Sequence, residues 1–234
     1  MPTLDRLDGI LSCIPNSCII ADIGTDHGYI PVNLIKRNMA NHVIASDISP
    51  YSLKKAQKLI DREGMNDRIS TRTGYGLSVL RPGEVEVAII AGLGGTLIAE
   101  ILERDKGVAG TIDKFILQPM QRHRVLREYL LNNAYSIRDE VLLKEDRNRY
   151  YVIMVVEHGQ EKVRDDLDYY LGRCLVENKD PLLPEYILYN IKRRHAVLAN
   201  LKKSRNAEEV SERQNKLEEE IRKLKEVYGD VCKG

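Results

Sequence analysis

Residues 20–28 read Ile-Ala-Asp-Ile-Gly-Thr-Asp-His-Gly, and no other stretch limits the possible folds of this chain as tightly. The apolar run Cys18-Ile19-Ile20-Ala21 leads into it and a helical pattern leads out, so the segment reads as strand, sharp turn, helix. Asp22, Gly24 and Gly28 give the spacing Asp-x-Gly-x-x-x-Gly at that turn. Glycine lets the backbone bend there and approach a ligand with no Cβ in the way. The helix start beyond it offers unpaired N–H groups. A carboxylate at the strand end suits a ligand with positive charge or hydroxyls better than a pyrophosphate. Asp26 stands where nucleotide-binding turns often carry glycine. It would lie beside a ligand at the strand tips, or cap the next helix; the two roles are compatible.

The rest of the first 160 residues repeats this grammar. Short apolar runs at 18–23, 42–47, 68–73, 85–91 and 113–118 read as strands. Helical patterns lie at 27–38, 50–63, 94–104 and 122–133, with a short helix at 3–12 ahead of the first strand. Apolar strands separated by amphipathic helices predict a parallel sheet covered on both faces. Two further runs, 135–143 and 149–156, are joined only by the polar turn Lys144-Glu145-Asp146-Arg147-Asn148-Arg149 and so predict an antiparallel hairpin. Hydrophobic residues make up 43% of 234, enough for a sizeable core.

Composition changes near residue 160, which divides the chain into an α/β part, 1–160, and a charged helical part, 161–234, interrupted by Pro181 and Pro184. Val210, Leu217 and Leu224 fall seven apart, as do Gln214, Ile221 and Tyr228, forming a coiled-coil seam. Asn206 with Glu209 three residues on resembles a helix N-cap. Leu183, Ile187, Ile191, Leu198 and Leu201 supply a partner face, so an antiparallel helical hairpin is expected within a monomer, a dimerising coiled coil being the other arrangement. Acidic residues are absent from 186 through 207, where Lys192, Arg193, Arg194, His195, Lys202, Lys203 and Arg205 cluster. Charge of one sign on a helix is a footprint for phosphates, although a solvated helix face is the commoner reason for such charge. With a net charge of only +1, any nucleic-acid surface must be a local patch of this kind.

The four cysteines, Cys13, Cys18, Cys174 and Cys232, form no C-x-x-C pair and predict neither a metal site nor a disulfide framework. The N-terminus lacks a signal-peptide pattern and no apolar run reaches the ~18 residues of a membrane span, so a soluble cytoplasmic protein is expected.

Further motifs follow the other strands. Asp47 ends the second strand about 20 residues past the glycine turn, where an acidic side chain can accept both ribose hydroxyls of a nucleoside; it could equally cap the helix at 50–63. Gly74-Tyr75-Gly76 follows the third strand and suits a flat ring, or is an ordinary turn. Ala91-Gly92-Leu93-Gly94-Gly95 follows the fourth, offering backbone groups and no aromatic clamp. Gln118-Pro119-Met120 closes the fifth, and its Gln could bond a base edge or serve the fold.

These motifs, in this order and spacing, resemble the bacterial TrmK family of tRNA (adenine-N1)-methyltransferases, which act at tRNA position 22. The resemblance covers essentially the whole chain. It implies a class I, Rossmann-like domain dependent on S-adenosyl-L-methionine (SAM), with a C-terminal helical coiled-coil domain. SAM, with its ammonium and sulfonium, also suits the acidic turn. The cofactor contacts then expected are Asp22, Gly24, Thr25, Asp26, Gly28, Asp47, Ile48, Gly74, Tyr75, Gly76, Ala91, Gly92, Leu93, Gly94 and Gly95, with Asp26 also catalytic. The tRNA contacts expected are Tyr29, Gln118, Pro119, Lys192, Arg193, Arg194, Lys202, Lys203 and Arg205. Two departures stand out. Tyr75 replaces the family's usual Asn or Asp, and Met120 replaces a common Asn. Two other readings remain: a SAM-dependent methyltransferase of another RNA or a small molecule, and a non-catalytic SAM- or RNA-binding scaffold. The turn lacks Gly-x-Gly-x-x-Gly, which argues against an NAD dehydrogenase.

Overall fold

The computed structural model describes residues 5–145, 149–201 and 207–232. A short helix, α1 (Arg6–Ser12), precedes the sheet strands β1 (Ser17–Ile23), β2 (Ala40–Asp47), β3 (Ile69–Thr73), β4 (Val87–Leu93), β5 (Lys114–Pro119), β6 (Tyr135–Glu145) and β7 (Arg149–His158). Between them run α2 (Tyr29–Lys36), α3 (Pro50–Glu63), α4 (Gly95–Arg104), α5 (Lys106–Ala109) and α6 (His123–Asn132), with a 3-10 turn at Gly76–Val79. The expected elements are all present, with ends shifted by a few residues.

The seven strands form one sheet in the order β3-β2-β1-β4-β5-β7-β6. The first five are mutually parallel. β7 pairs antiparallel with β5 on one side and with β6 on the other, so the expected hairpin closes the sheet. Side chains alternate between two buried clusters. Along β4, Val87, Ile89 and Ala91 enter one, and Ala88 and Ile90 enter the other. A strand buried on both faces has no polar side to offer, hence its unbroken apolar sequence. Strand order reverses between β1 and β4, which opens a crevice at their carboxyl ends.

After β7 come two short helices, α7 (Leu167–Tyr170) and α8 (Arg173–Glu177), then the long pair α9 (Leu183–Leu201) and α10 (Ala207–Val231). The break near residue 160 is a change of element type rather than of core. Leu171, Leu175, Leu183, Ile187, Ile221 and Leu224 belong to the same buried cluster as Phe115 and Val152 of the sheet. Arg127 of α6 is wholly buried at this junction. Its Nε and Nη2 donate to Glu140 Oε1 of β6 at 2.9 and 2.6 Å, and other bonds reach the carbonyls of Tyr169, Tyr170 and Leu171. Lys202, Lys203, Arg205 and Asn206 lie outside the described residues, as do the side chains of Cys18, Glu209 and Val210. Among the described residues no helix is long and apolar enough to cross a membrane.

Candidate active site

A cavity of about 800 Å³ opens at the carboxyl ends of β1, β2 and β4, where strand order reverses. The turn after β1 forms its floor. Gly24 takes the left-handed conformation, and the amides of Gly24 and Thr25 both donate to the Ser46 carbonyl of β2 at 2.8 Å. The Asp26 amide donates to Asp47 Oδ2 at 3.2 Å. These three amides are therefore spent on locking β1 to β2. Gly28 does not line the cavity. A Cβ there would stand 3.1 Å from Ala56 Cα, so this glycine lets α2 pack closely on α3.

What the turn does present is side chains. Asp22, Thr25 and Ser46 line the cavity and are nearly inaccessible; among the described residues Asp22 Oδ2, Thr25 Oγ1 and Ser46 Oγ meet no partner at full hydrogen-bond geometry, although the Thr25 hydroxyl lies close enough to Asp22 to favour its charged form. Orphaned buried polar atoms are rare and costly, and three around one cavity mark a place for a polar guest. Burial pushes the Asp22 carboxyl up to about 7; the Asp47 carboxylate adds to this, while Thr25 and the Arg6 guanidinium oppose it. From its usual 3.8 to about 7, the folded chain holds a proton that the unfolded chain has released, so stability falls as pH rises across that window. Asp22→Asn is expected to flatten this decline in thermal melts taken between about pH 5 and pH 8. An unaltered slope would place the Asp22 titration in the ordinary carboxylate range.

Neither Asp26 nor Asp47 is the helix cap that its position allowed. Gly28 caps α2 without a side-chain bond, and the Ser49 hydroxyl caps α3. Asp47 instead accepts from the amides of Ser49 and Asp26 through its two oxygens, with lone pairs left over. Asp26 is itself left-handed, at φ +47°, and its Oδ2 lies 2.6 Å from His27 Nδ1. The His27 ring stacks on Tyr29 at 5.7 Å between centroids. Tyr29 and Ile48 both line the cavity and are mostly exposed.

The glycine loops divide between cavity and core. Gly74, Tyr75 and Gly76 line the cavity, and the Arg104 guanidinium sits over the Tyr75 ring at 3.8 Å. That contact fixes the ring that departs from the family pattern. Ala91, Gly92 and Leu93 also line the cavity. The β4–β5 register shifts between Ala91 and Leu93, which leaves Gly92 as a left-handed bulge. Gly94 and Gly95 are not part of the lining. Gly95 donates to the Gln121 carbonyl, and a Cβ on it would lie 2.5 Å from the Arg122 carbonyl, so it is a packing glycine.

Sequence reasoning missed the opposite rim, because no motif marks α1 or the β6–β7 hairpin and only the fold brings them together at the cavity. Arg6, Glu145, Arg149 and Tyr151 all line the cavity. Tyr151 donates to Glu145 Oε2 at 3.0 Å and accepts from Arg149 at 3.3 Å. Gln118 is fully buried, with its Oε1 accepting from Arg6 Nε at 2.6 Å, and Pro119 is buried beside it. Both were expected to touch tRNA, and the structure places both inside instead. The basic patch also needs correcting. Lys192 and Arg193 are exposed, but Arg194 donates to Glu220 Oε2 at 2.9 Å and lies over the Tyr170 ring. The acid-free stretch of α9 meets its neutralising charge on α10.

Among the described residues no cluster of His, Cys, Asp and Glu could hold a metal ion. Cys13, Cys174 and Cys232 are free, and burial pushes the Cys13 and Cys174 thiols up to about 11 and about 12, which keeps them protonated.

The seventh strand separates this sheet from the all-parallel dinucleotide fold. With β7 inserted antiparallel between β5 and β6 and a carboxylate-walled cavity at the β1–β4 reversal, the architecture is that of a class I, Rossmann-like methyltransferase. Residues 20–226 match the family described as TrmK: tRNA (adenine(22)-N(1))-methyltransferase, and the chain belongs to that family. It is 30% identical over 227 residues to the tRNA (adenine(22)-N(1))-methyltransferase of Bacillus subtilis strain 168, covering 95% of each protein. Streptococcus pneumoniae Sp1610, solved in complex with SAM, superposes with a TM-score of 0.85 at 29% identity, over 97% of this chain and 99% of that one. M. capricolum TrmK, solved with S-adenosyl-homocysteine, gives 0.81 at 26% identity, over 97% and 98%.

Proposed function

We propose that this chain transfers the methyl group of SAM to N1 of adenine 22 in tRNA, acting as a monomer. The observation that carries this is the family match across residues 20–226, which spans both the cavity and the helical pair. The residues present also suit the methyl donor. Asp22, Thr25 and Ser46 would take up its ammonium, which supplies the partner their orphaned atoms lack. Asp47 would accept the ribose hydroxyls, and the held Tyr75 ring would border the adenine. When bound, SAM supplies a methyl group on a positively charged sulfonium.

Adenine N1 carries an in-plane lone pair, so no proton need leave before attack. The work of the chain is to receive the unstacked base, align it and stabilise the positive charge arriving on its ring. Asp26, steadied by His27, is the carboxylate placed for the last task. Tyr29 and His27 form a stacked pair on which a base can rest. The division of labour follows the chain, with 1–160 holding donor and base and 161–234 holding tRNA phosphates. The test is mass-spectrometric mapping of the modified nucleotide in bulk tRNA after reaction. Methylation at N1 of adenine 22 supports the reading, and methyl groups on another nucleotide or none on tRNA overturn it.

Phosphate contacts position RNA and make its binding salt-dependent. Lys192→Ala with Arg193→Ala is expected to weaken tRNA binding and flatten the dependence of affinity on salt. Arg194→Ala is expected to lower thermal stability slightly instead, because it removes the Glu220 Oε2 pairing between α9 and α10 and leaves Glu220 with only Tyr170 and Arg124. An unaltered salt slope in the double variant would remove the patch from the interface.

A further inference from the structure

The tip of the β6–β7 hairpin brings charge to the cavity that binding of the methyl donor leaves unused. Glu145 of β6 stands directly opposite Arg149 of β7 in the ladder, and Tyr151 follows two residues on, so all three share one face of the hairpin. That face lines the cavity. Opposite charges in such a register ordinarily meet. Here the Tyr151 hydroxyl stands between them, donating to Glu145 Oε2 at 3.0 Å and accepting from Arg149 Nη1 at 3.3 Å. Among the described residues Glu145 and Arg149 form no ion pair with each other, and Glu145 Oε1 accepts no hydrogen bond. The Tyr151 ring is buried, with the Arg6 guanidinium carbon 5.8 Å from its centre. A cation on the phenol oxygen leaves the hydroxyl proton facing only the carboxylate. Glu145 is therefore a half-buried acceptor held at one oxygen, with the other unspent.

A carboxylate accepts and cannot donate, so it selects a guest that offers N–H. Beside its N1, adenine offers one such group, the exocyclic amine on C6. Guanine would turn its O6 acceptor toward the same carboxylate. As the methyl group arrives on N1 the ring becomes positive and the amine a stronger donor, so this bond tightens toward the transition state. We propose that Glu145 accepts a hydrogen bond from the exocyclic amine of the target adenine and so selects that base, with Tyr151 as the positioning residue that holds the carboxylate. This rests on the tRNA-methylation reading above. Asp26 is another carboxylate on the cavity wall, but one of its oxygens lies against His27 and its side chain is more than half exposed. A bond that discriminates between bases needs the group whose position is fixed, and that group is Glu145.

The test is single-turnover methyl transfer by the full chain to two synthetic tRNAs. One carries adenine at position 22, and the other carries purine, which keeps N1 and lacks the 6-amino group. Purine N1 is intrinsically the weaker nucleophile, a difference that enters every form of the enzyme alike. The informative quantity is the adenine-to-purine rate ratio of each variant against that of the wild type. Glu145→Ala is expected to lower this ratio about 10- to 100-fold, mostly by slowing transfer to the adenine substrate. Glu145→Gln keeps an acceptor oxygen without the charge and should fall between. Tyr151→Phe should lower the ratio in part, by releasing the carboxylate. A wild-type ratio in Glu145→Ala overturns the proposal, as does an equal loss on both substrates, which would make the residue structural. A ratio that falls in Asp26→Asn and not in Glu145→Ala overturns it by moving the amine to Asp26. Equal rates on the two tRNAs for the wild-type chain overturn it without touching the tRNA-methylation reading, and need no variant to fold. No transfer by the wild-type chain to the adenine tRNA overturns both.

Discussion

Replacing Asp26 with Asn is expected to lower single-turnover methyl transfer to tRNA by about 100-fold or more, while the affinity for S-adenosyl-L-homocysteine stays within about twofold. Asn is the informative substitution because Asp26 sits at φ +47°, a conformation Asn adopts at lower cost than Ala. The exchange removes charge and leaves the backbone in place. The Asp26 side chain is 55% exposed in the unliganded chain, where water would screen its field and leave it worth little. The expected loss therefore depends on the incoming base covering the carboxylate and displacing that water. A rate unchanged from wild type would remove Asp26 from the mechanism, and a parallel loss of ligand affinity would make it a cofactor contact alone.

The largest effect on stability is expected at Arg127, far from the cavity. Both Arg127 and Glu140 have side chains with no solvent exposure, and removing one partner leaves the other as an uncompensated buried charge. Arg127→Met is expected to cost about 3–5 kcal/mol, a fall in Tm of roughly 10 °C for a chain of this size, measured by circular dichroism. Burial already pushes the Glu140 carboxyl above its usual value despite the guanidinium beside it, so in the variant Glu140 would take up a proton. The double variant Arg127→Met with Glu140→Leu is expected to recover much of the loss, since apolar groups of similar volume often replace buried pairs at little cost. A double variant as unstable as the single would mean that the lost bonds to the Tyr169–Leu171 carbonyls dominate instead.

The strands and their helices were legible because burial on two faces writes itself into local sequence as apolar runs. The hairpin was legible because six polar residues cannot hold a crossover helix. The β1 turn was legible as a site, but not which of its groups are already engaged within the fold. The Asp-x-Gly spacing shows where a bend occurs and cannot show that Ser46 already takes the amides of Gly24 and Thr25. Gly94 and Gly95 read as ligand-facing because glycine before a helix has the same signature whether it meets a ligand or, as here, the Gln121 side chain beside Gly94 and the Arg122 carbonyl beside Gly95. Arg6, Tyr151 and Gln118 were opaque as a group. They lie on α1, β7 and β5, and only the position of β7 in the sheet brings them to one rim. Arg194 looked like a free cation because its partner Glu220 belongs to another helix.

The shared interior of sheet and helices bears on how a large folded molecule is measured. Lys192 and Arg193 ride on a helix whose inner face is continuous with the packing behind β5 and β7, and Arg127 bolts the intervening segment down. The separation between the pocket and the outer charges is then set like the jaws of a caliper, and closing or opening it would mean prying packed side chains apart. On the proposed reading of Lys192 and Arg193 as phosphate contacts, an RNA would engage both ends only when its own tertiary shape spans that gap, and selection would then read architecture before any base.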